Sequence, residues 1–83
     1  MIEKIRLDDN QETYYIDLQG NDVAVILCIQ GTIEIKNYNN QSQVYAKLNP
    51  YESWTLTTSY LAAIVKAVDP TGAEFLIIRY FRS

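Results

Sequence analysis

The chain has no histidine and a single cysteine, Cys28, among its 83 residues. Histidine is the most common general base and a frequent metal ligand, so Ser-His-Asp and Cys-His catalytic arrangements and most zinc sites are excluded. One cysteine cannot form an internal disulfide, and because Cys28 lies in an apolar segment we expect it to be buried as a small hydrophobic side chain. We therefore predict no catalytic residue, no metal and no cofactor.

Long hydrophobic runs and basic clusters are also missing. The longest uncharged apolar segment, residues 23–29, is too short to cross a bilayer, and the N-terminal residues lack the basic-then-apolar order of a signal peptide. Seven basic side chains against ten acidic ones give a net charge of -3, without a basic stripe that could neutralise phosphates. We therefore expect a cytoplasmic protein that binds neither membranes nor nucleic acids.

Short strands account for most of the chain. Glycine occurs only three times and proline twice, and these residues mark the boundaries between apolar segments. The pattern predicts seven or eight strands of about five to nine residues and no helix. Parallel strands need long crossover connections, for which so short a chain has no room. We therefore predict one all-β domain over residues 1–83, built as a small antiparallel barrel or sandwich.

Two segments define the expected sheets. Residues 23–29 contain no polar side chain, which is typical of a central strand that is buried on both faces or meets a partner with its outer face. Residues 32–38 alternate polar and apolar side chains and, with a returning strand at residues 44–48, predict a half-exposed hairpin. We expect the apolar strands at residues 23–29 and 75–81 to pair or to face each other across the core.

Residues 59–68 have an ambiguous pattern. Their apolar side chains have helical spacing, but valine and isoleucine are stiff in helices and no capping-box partner is present. The next four residues, 69–72, read Asp-Pro-Thr-Gly, which matches the residue preferences of a type I turn. Because both flanking segments are apolar, we predict a strand hairpin around this turn, with residues 74–81 as its second arm.

Aromatic side chains are the one compositional excess, with seven tyrosines and one tryptophan. Such rings suit surfaces that recognise sugars or peptides, and a small β-domain also uses them to fill its core. The core is the favoured position for Tyr14, Trp54 and Tyr80, and the surface is favoured for Arg79. The candidate residues for binding a ligand or a partner are Tyr38, Tyr45, Tyr51, Trp54 and Arg79.

The order of the segments over residues 23–81 resembles a known family. An apolar strand ends just before Gly31, an alternating strand and its return follow, residues 49–53 form a bend, and an apolar strand closes with the Leu-x-x-Arg-Tyr sequence of residues 76–80. This order resembles the cupin-type jelly roll, and more particularly the C-terminal β-domain of type I mannose-6-phosphate isomerases. The resemblance implies a cupin-like jelly-roll barrel or sandwich.

The departures from the family limit what the resemblance implies. The histidine pair, the glutamate and the later histidine of metal-binding cupins have no counterpart here. In the zinc-dependent isomerases, zinc and the catalytic residues belong to a larger N-terminal part. The resemblance therefore implies a non-catalytic domain that packs against a missing catalytic domain and contributes to a sugar-phosphate site. Tyr51 stands where the bend of the family usually has glycine.

A stand-alone acidic module is the alternative. Such a protein would bind a basic partner through exposed aromatic rings, for which Tyr38, Tyr45 and Tyr51 are the candidates. Under both interpretations, residues 23–29 and 75–81 supply more apolar area than a small core can hide. We therefore expect self-association, most simply a twofold homodimer made by sheet packing or by edge pairing.

Overall fold

A computed structural model of the protein describes residues 1–18, 22–57 and 62–81, with the side chains of Asp22 and Phe81 left aside. The described residues form eight β-strands and no helix. The strands are β1 (Ile2–Leu7), β2 (Thr13–Asp17), β3 (Asp22–Gln30), β4 (Ile33–Asn37), β5 (Asn40–Leu48), β6 (Ser53–Leu56), β7 (Ala62–Ala67) and β8 (Ala73–Phe81). None of the described segments is a helix that could cross a membrane.

The strands form two four-stranded antiparallel sheets that pack as a sandwich. The first sheet has the order β1-β8-β3-β6 and the second has the order β2-β7-β4-β5. The sheets do not close into a barrel, so the prediction of an all-β antiparallel fold is confirmed in its sandwich form. The predicted pairing of the two long apolar segments is also confirmed, because β3 and β8 are neighbours at the centre of the first sheet.

The core lies between the two sheets and follows the alternation of each strand. In β8, Phe75 and Ile77 are fully buried, whereas Leu76 and Ile78 point to the other side of the sheet and are half-buried. Cys28 is fully buried on β3, as expected for a thiol that packs as a hydrophobic side chain. The largest fully buried side chains are Phe75, Leu7, Ile16, Ile26, Ile33, Ile35, Leu56, Ile77, Val65 and Cys28.

The first predicted hairpin is confirmed. Strands β4 and β5 pair antiparallel, and β4 buries Ile33 and Ile35 while Glu34 and Lys36 lie on the outer side. The pairing shifts register on both sides of Lys36, so the longer β5 contains bulges. The alternation of polar and apolar side chains was sufficient to assign both faces of this strand.

The second predicted hairpin is wrong, although its turn is confirmed. The Gly72 amide donates to the carbonyl oxygen of Asp69 at 3.0 Å, which closes the predicted turn. However, β7 pairs with β2 and β4 in the second sheet, and β8 pairs with β1 and β3 in the first. A turn between two apolar strands looks the same in sequence whether it joins neighbours in one sheet or carries the chain across the core. The predicted strand covers residues 59–68, and residues 59–61 lie outside the described part of the chain.

Candidate functional site

The outer face of the first sheet carries an unusual amount of apolar surface. The strand register aligns its side chains in rows that cross all four strands. In the strand order β1, β8, β3, β6, one row consists of Ile2, Ile78, Val25 and Thr55. The neighbouring row consists of Lys4, Leu76, Leu27 and Ser53. We define the apolar face as the following six side chains: Ile2, Val25, Leu27, Leu76, Ile78 and Tyr80.

The apolar face is open to solvent. Ile2 is 68% exposed and Tyr80 is 50% exposed, and the other four side chains are half-buried. The favoured core position of Tyr80 is therefore wrong: the alternation of β8 turns this ring outward, away from the buried Ile77. In the apolar segment at residues 23–29, the outward side chains Val25, Leu27 and Ile29 are half-buried, and Val23 is buried.

One border of the apolar face is charged. On the edge strand β1, Lys4 lies 3.3 Å from a carboxylate oxygen of Glu74, and Arg6 donates to the other oxygen at 3.0 Å. These hydrogen bonds, first of all the one from Arg6, lower the pKa of Glu74. The carboxylate is thus ionised between two cations, and the three side chains together carry one positive charge.

The opposite border is formed by β6 and the turn before it. The Glu52 amide donates to the carbonyl oxygen of Asn49 at 3.0 Å, and Tyr51 has φ of 71°, so residues 49–52 form a type II turn with tyrosine at the position that favours glycine. The amide of Tyr51 donates to the carbonyl oxygen of Cys28 at 2.7 Å, and the Cys28 amide donates to that of Glu52 at 3.0 Å. Tyr51 and Glu52 together therefore oppose the single residue Cys28 on β3. This arrangement is a β-bulge of the type in which the first of the two residues is normally glycine.

Tyr51 is the most exposed aromatic side chain in the described part of the chain, at 82%. A non-glycine residue in the left-handed region costs about 1–2 kcal/mol, and an exposed ring gains no burial to offset that cost. The fold of a single copy therefore does not explain a tyrosine at this position.

Tyr45 and Trp54 are brought together at one side of the sandwich. Their rings stack with centroids 5.8 Å apart and an angle of 17° between planes. Tyr45 is on β5 and Trp54 on β6, which are the edge strands of different sheets, so the stack joins the two sheets. Both rings are partly buried against the core, which confirms the core position favoured for Trp54.

Arg79 lies on the other side of the sandwich. It is half-buried and occupies the inward row of β8, next to the edge strand β1. The hydroxyl of Tyr14 donates to a carboxylate oxygen of Glu3 at 2.9 Å, and its ring packs edge-on against Phe75. Burial, and then the hydrogen bond with Glu3, raise the pKa of Tyr14. These contacts join β1 to β2 and agree with the core position favoured for Tyr14.

Tyr38 belongs to a third location, the outer side of the second sheet. It follows β4, and its ring contacts the ring of Tyr15 at a centroid distance of 4.7 Å. Of the five candidate binding residues, only Tyr45 and Trp54 share a ring contact. Tyr51 lies at the β6 edge of the first sheet, and Tyr38 lies on the outer side of the second sheet. Arg79 lies between the two sheets, near β1.

A cleft of about 280 Å³ lies where β1 leads into β2. Asp8, Asp9, Glu12 and Asp69 line it together with Lys66. The carboxylate of Asp69 accepts hydrogen bonds from the amide and hydroxyl of Thr71, which lower its pKa. Across the described residues, no three histidine, cysteine, aspartate or glutamate side chains are grouped as metal ligands would be.

The apolar face was missed as a set of site residues. Apart from Ile2, its members lie at alternate positions of the apolar segments at residues 23–29 and 75–81, which were expected to leave surface uncovered. The available signal was that the alternate positions Val25 and Leu27 in the first segment, and Leu76 and Ile78 in the second, are apolar. Comparison with protein family models, with curated proteins and with solved structures found no match for this chain.

Proposed function

We propose that this protein is a non-catalytic interaction module that forms a homodimer through the apolar face of its first sheet. The observation that carries the proposal is the continuous row of apolar side chains on strands β3 and β8, flanked by Ile2 on β1. An antiparallel sheet that faces water usually alternates apolar and polar side chains. An apolar outer face instead indicates contact with another protein surface.

The strand order supports a cupin-like jelly roll as the fold of this module. Two four-stranded sheets with the orders β1-β8-β3-β6 and β2-β7-β4-β5 are the arrangement expected of a jelly roll, in which two Greek keys are folded over each other. The interior of this sandwich is filled by fully buried side chains such as Phe75 and Ile26. A role in packing therefore fits the molecule better than an internal sugar-phosphate site.

The outer face of the first sheet, which includes the apolar face and its polar borders, has a size that suits a second copy of the chain. Four strands spaced about 4.8 Å apart, crossed by four rows about 6.8 Å apart, give this whole outer face a footprint of about 500 Å². Two copies would bury about 1,000 Å² together, which is the lower limit for a specific interface. A twofold interface uses the same surface twice and requires no other protein.

The charge distribution permits self-association at this face. The chain has a net charge of -3, so two copies repel each other on average. The side chains of Lys4, Arg6, Glu74 and Asp8 at the border of the apolar face are ion-paired and sum to zero charge. Contact through this surface therefore does not add to the average repulsion between the two copies.

Light scattering at micromolar concentration tests the proposal. The wild type is expected to have twice the mass of the 9.6 kDa chain, and Leu76→Lys is expected to be monomeric, because each copy would bury a charge in the interface. Val44→Lys is the matched control: Val44 is an apolar residue, 44% exposed, on a strand of the second sheet. Ile2→Lys, at a side chain that is 68% exposed, is a second test variant that leaves the core untouched.

A wild type that remains monomeric at these concentrations would refute the dimer. Two other occupants of the surface are distinguished in the same preparation. A saturable change of Trp54 fluorescence with mannose 6-phosphate, by a monomeric protein, would favour the isomerase-like interpretation over this one. Capture of a defined basic protein by a monomeric wild type would favour the adaptor interpretation.

A further inference from the structure

We infer that Tyr51 is an anchor of this dimer and packs against the β1 edge of the second copy. The inference rests on the proposed dimer and specifies its geometry. Tyr51 is 82% exposed, holds a backbone conformation that favours glycine, and lies beside β3 at the β6 edge of the first sheet. Tyrosine is among the residue types that dominate binding energy in interfaces.

The register fixes where Tyr51 lies along the sheet. Its backbone pairs with Cys28, Cys28 pairs with Phe75, and Phe75 pairs with Ile5. Tyr51 and Ile5 are therefore at the same height along the strands, on opposite edges of the first sheet. Arg6, the next residue on β1, is 46% exposed on its side chain.

Two twofold axes can stack this face on itself. An axis parallel to the strands reverses the strand order, so that β1 of each copy lies over β6 of the other at unchanged height. An axis across the strands keeps the order, so that β1 lies over β1. Only the first arrangement brings the ring of Tyr51 over the β1 edge of the second copy.

The side chains on the two edges favour the axis parallel to the strands. The β1 edge carries Lys4 and Arg6 with their acidic partners Glu74 and Asp8, whereas the β6 edge carries the hydroxyls of Ser53 and Thr55 next to Tyr51. Stacking β1 on β1 would desolvate these ion pairs against their own copies and would offer Arg6 no aromatic ring. Stacking β1 on β6 places the guanidinium of Arg6 near an aromatic face, a favourable cation–π arrangement.

Replacement of Tyr51 by glycine separates binding from folding. Glycine accepts a φ of 71° without strain, so Tyr51→Gly is expected to leave the isolated chain at least as stable as the wild type. The same change removes the ring and is expected to raise the dissociation constant of the dimer about tenfold. Tyr51→Phe keeps the ring and is expected to retain affinity within a few-fold. Tyr38→Ala, at another exposed tyrosine, is the control.

Chemical cross-linking tests the axis. Packed sheets are about 10 Å apart, so a bis-maleimide of that reach can join cysteines that face each other. A mixture of Arg6→Cys and Tyr51→Cys chains, one of them tagged, is expected to give the mixed cross-linked pair. Arg6→Cys alone is expected to stay unlinked, and the wild type controls for Cys28, which is fully buried.

The outcomes keep this inference apart from the dimer itself. A monomeric wild type overturns the dimer and the anchor together. A dimer whose affinity is unchanged by Tyr51→Gly overturns the anchor alone, and efficient linking of Arg6→Cys to itself overturns the axis. A weaker dimer of Tyr51→Gly with unchanged unfolding, together with the mixed cross-link, supports both the anchor and the axis.

Discussion

The two sheets of the sandwich share one core but have different outer faces. On the second sheet, one row across β2, β7, β4 and β5 is polar, with Thr13, Lys66, Glu34 and Lys47. The next row contains Tyr15, Ile64, Lys36 and Val44. Ile64, on the central strand β7, is only 7% exposed although it faces outward, whereas Val44, on the edge strand β5, is 44% exposed. The second sheet therefore covers the apolar side chain at its centre.

The first sheet covers its centre less completely. Its central outward side chains, Val25, Leu27, Leu76 and Ile78, are half-buried, whereas Val23, which pairs with Tyr80 farther along β3, is 4% exposed. The difference shows that the apolar face does not result from the packing of two four-stranded sheets as such, because the second sheet packs on the same core with a more polar exterior. It is a property of this surface, which fits the proposed interface.

The largest predicted effect separates the inner and outer sides of β8. Phe75→Ala removes a fully buried ring and is expected to lower the free energy of unfolding by about 3–5 kcal/mol. Leu76→Ala, one residue away on the apolar face, is expected to cost far less in dilute protein, where the chain is monomeric. Urea unfolding at low protein concentration measures both. Equal losses for the two variants would mean that Leu76 supports the fold of the single chain.

The next prediction compares the outer faces directly. Ile64→Ala removes a side chain that its own sheet covers, and it is expected to cost about 2–3 kcal/mol at every protein concentration. Ile78→Ala removes a side chain of the apolar face, and its cost is expected to grow with concentration, since only the dimer buries it. Thermal unfolding across a hundredfold range of concentration distinguishes the two. A cost for Ile78→Ala that does not change with concentration would contradict the proposed interface.

Strand positions and side-chain faces were largely predictable from the sequence, because alternation is a local property. The alternation of β4 assigned Ile33 and Ile35 to the core, and the absence of alternation in β3 correctly indicated a central strand with an unusual outer side. Which sheet each strand joins was not predictable. The turn at residues 69–72 carries the chain from one sheet to the other, and nothing local distinguishes that path from a hairpin.

The position of Tyr51 in the candidate site was also only partly predictable from the sequence. Its place after Pro50 indicated a turn, and the structure confirms a turn with tyrosine at the glycine-favouring position. That this turn borders an apolar sheet face depends on the pairing of β6 with β3, which brings together residues from distant parts of the chain. The wrong position for Tyr80 has a similar cause, since a tyrosine that alternates with apolar residues suits either side of a strand.

A smaller effect is expected at the seam between the sheets. Tyr14→Phe removes the hydrogen bond to Glu3 and is expected to cost about 0.5–1.5 kcal/mol at neutral pH. Burial raises the pKa of Tyr14 in the folded state, so this contribution is full below the ordinary tyrosine pKa of about 10 and is lost as pH rises through the higher folded value. Urea unfolding of both proteins at pH 7 and at higher pH is the measurement. A difference in unfolding free energy between the wild type and Tyr14→Phe that grows at high pH would contradict a stabilising role of the neutral Tyr14 hydroxyl.

The smallest effect concerns the charged border of the apolar face. The hydrogen bonds from Arg6 and Lys4 lower the pKa of Glu74 in the folded state, so its contribution to stability is full above the ordinary glutamate pKa of about 4.3 and is lost as pH falls through the lower folded value. Glu74→Gln is expected to reduce the urea midpoint slightly at pH 7, and the difference from the wild type is expected to shrink at pH 3. Added salt is expected to reduce the same difference at pH 7, because exposed ion pairs are screened. The other carboxyl groups are present in both proteins, so the difference in urea midpoint between the wild type and Glu74→Gln isolates Glu74. A difference that is the same at pH 7 and pH 3 would show that this carboxylate acts through packing rather than charge.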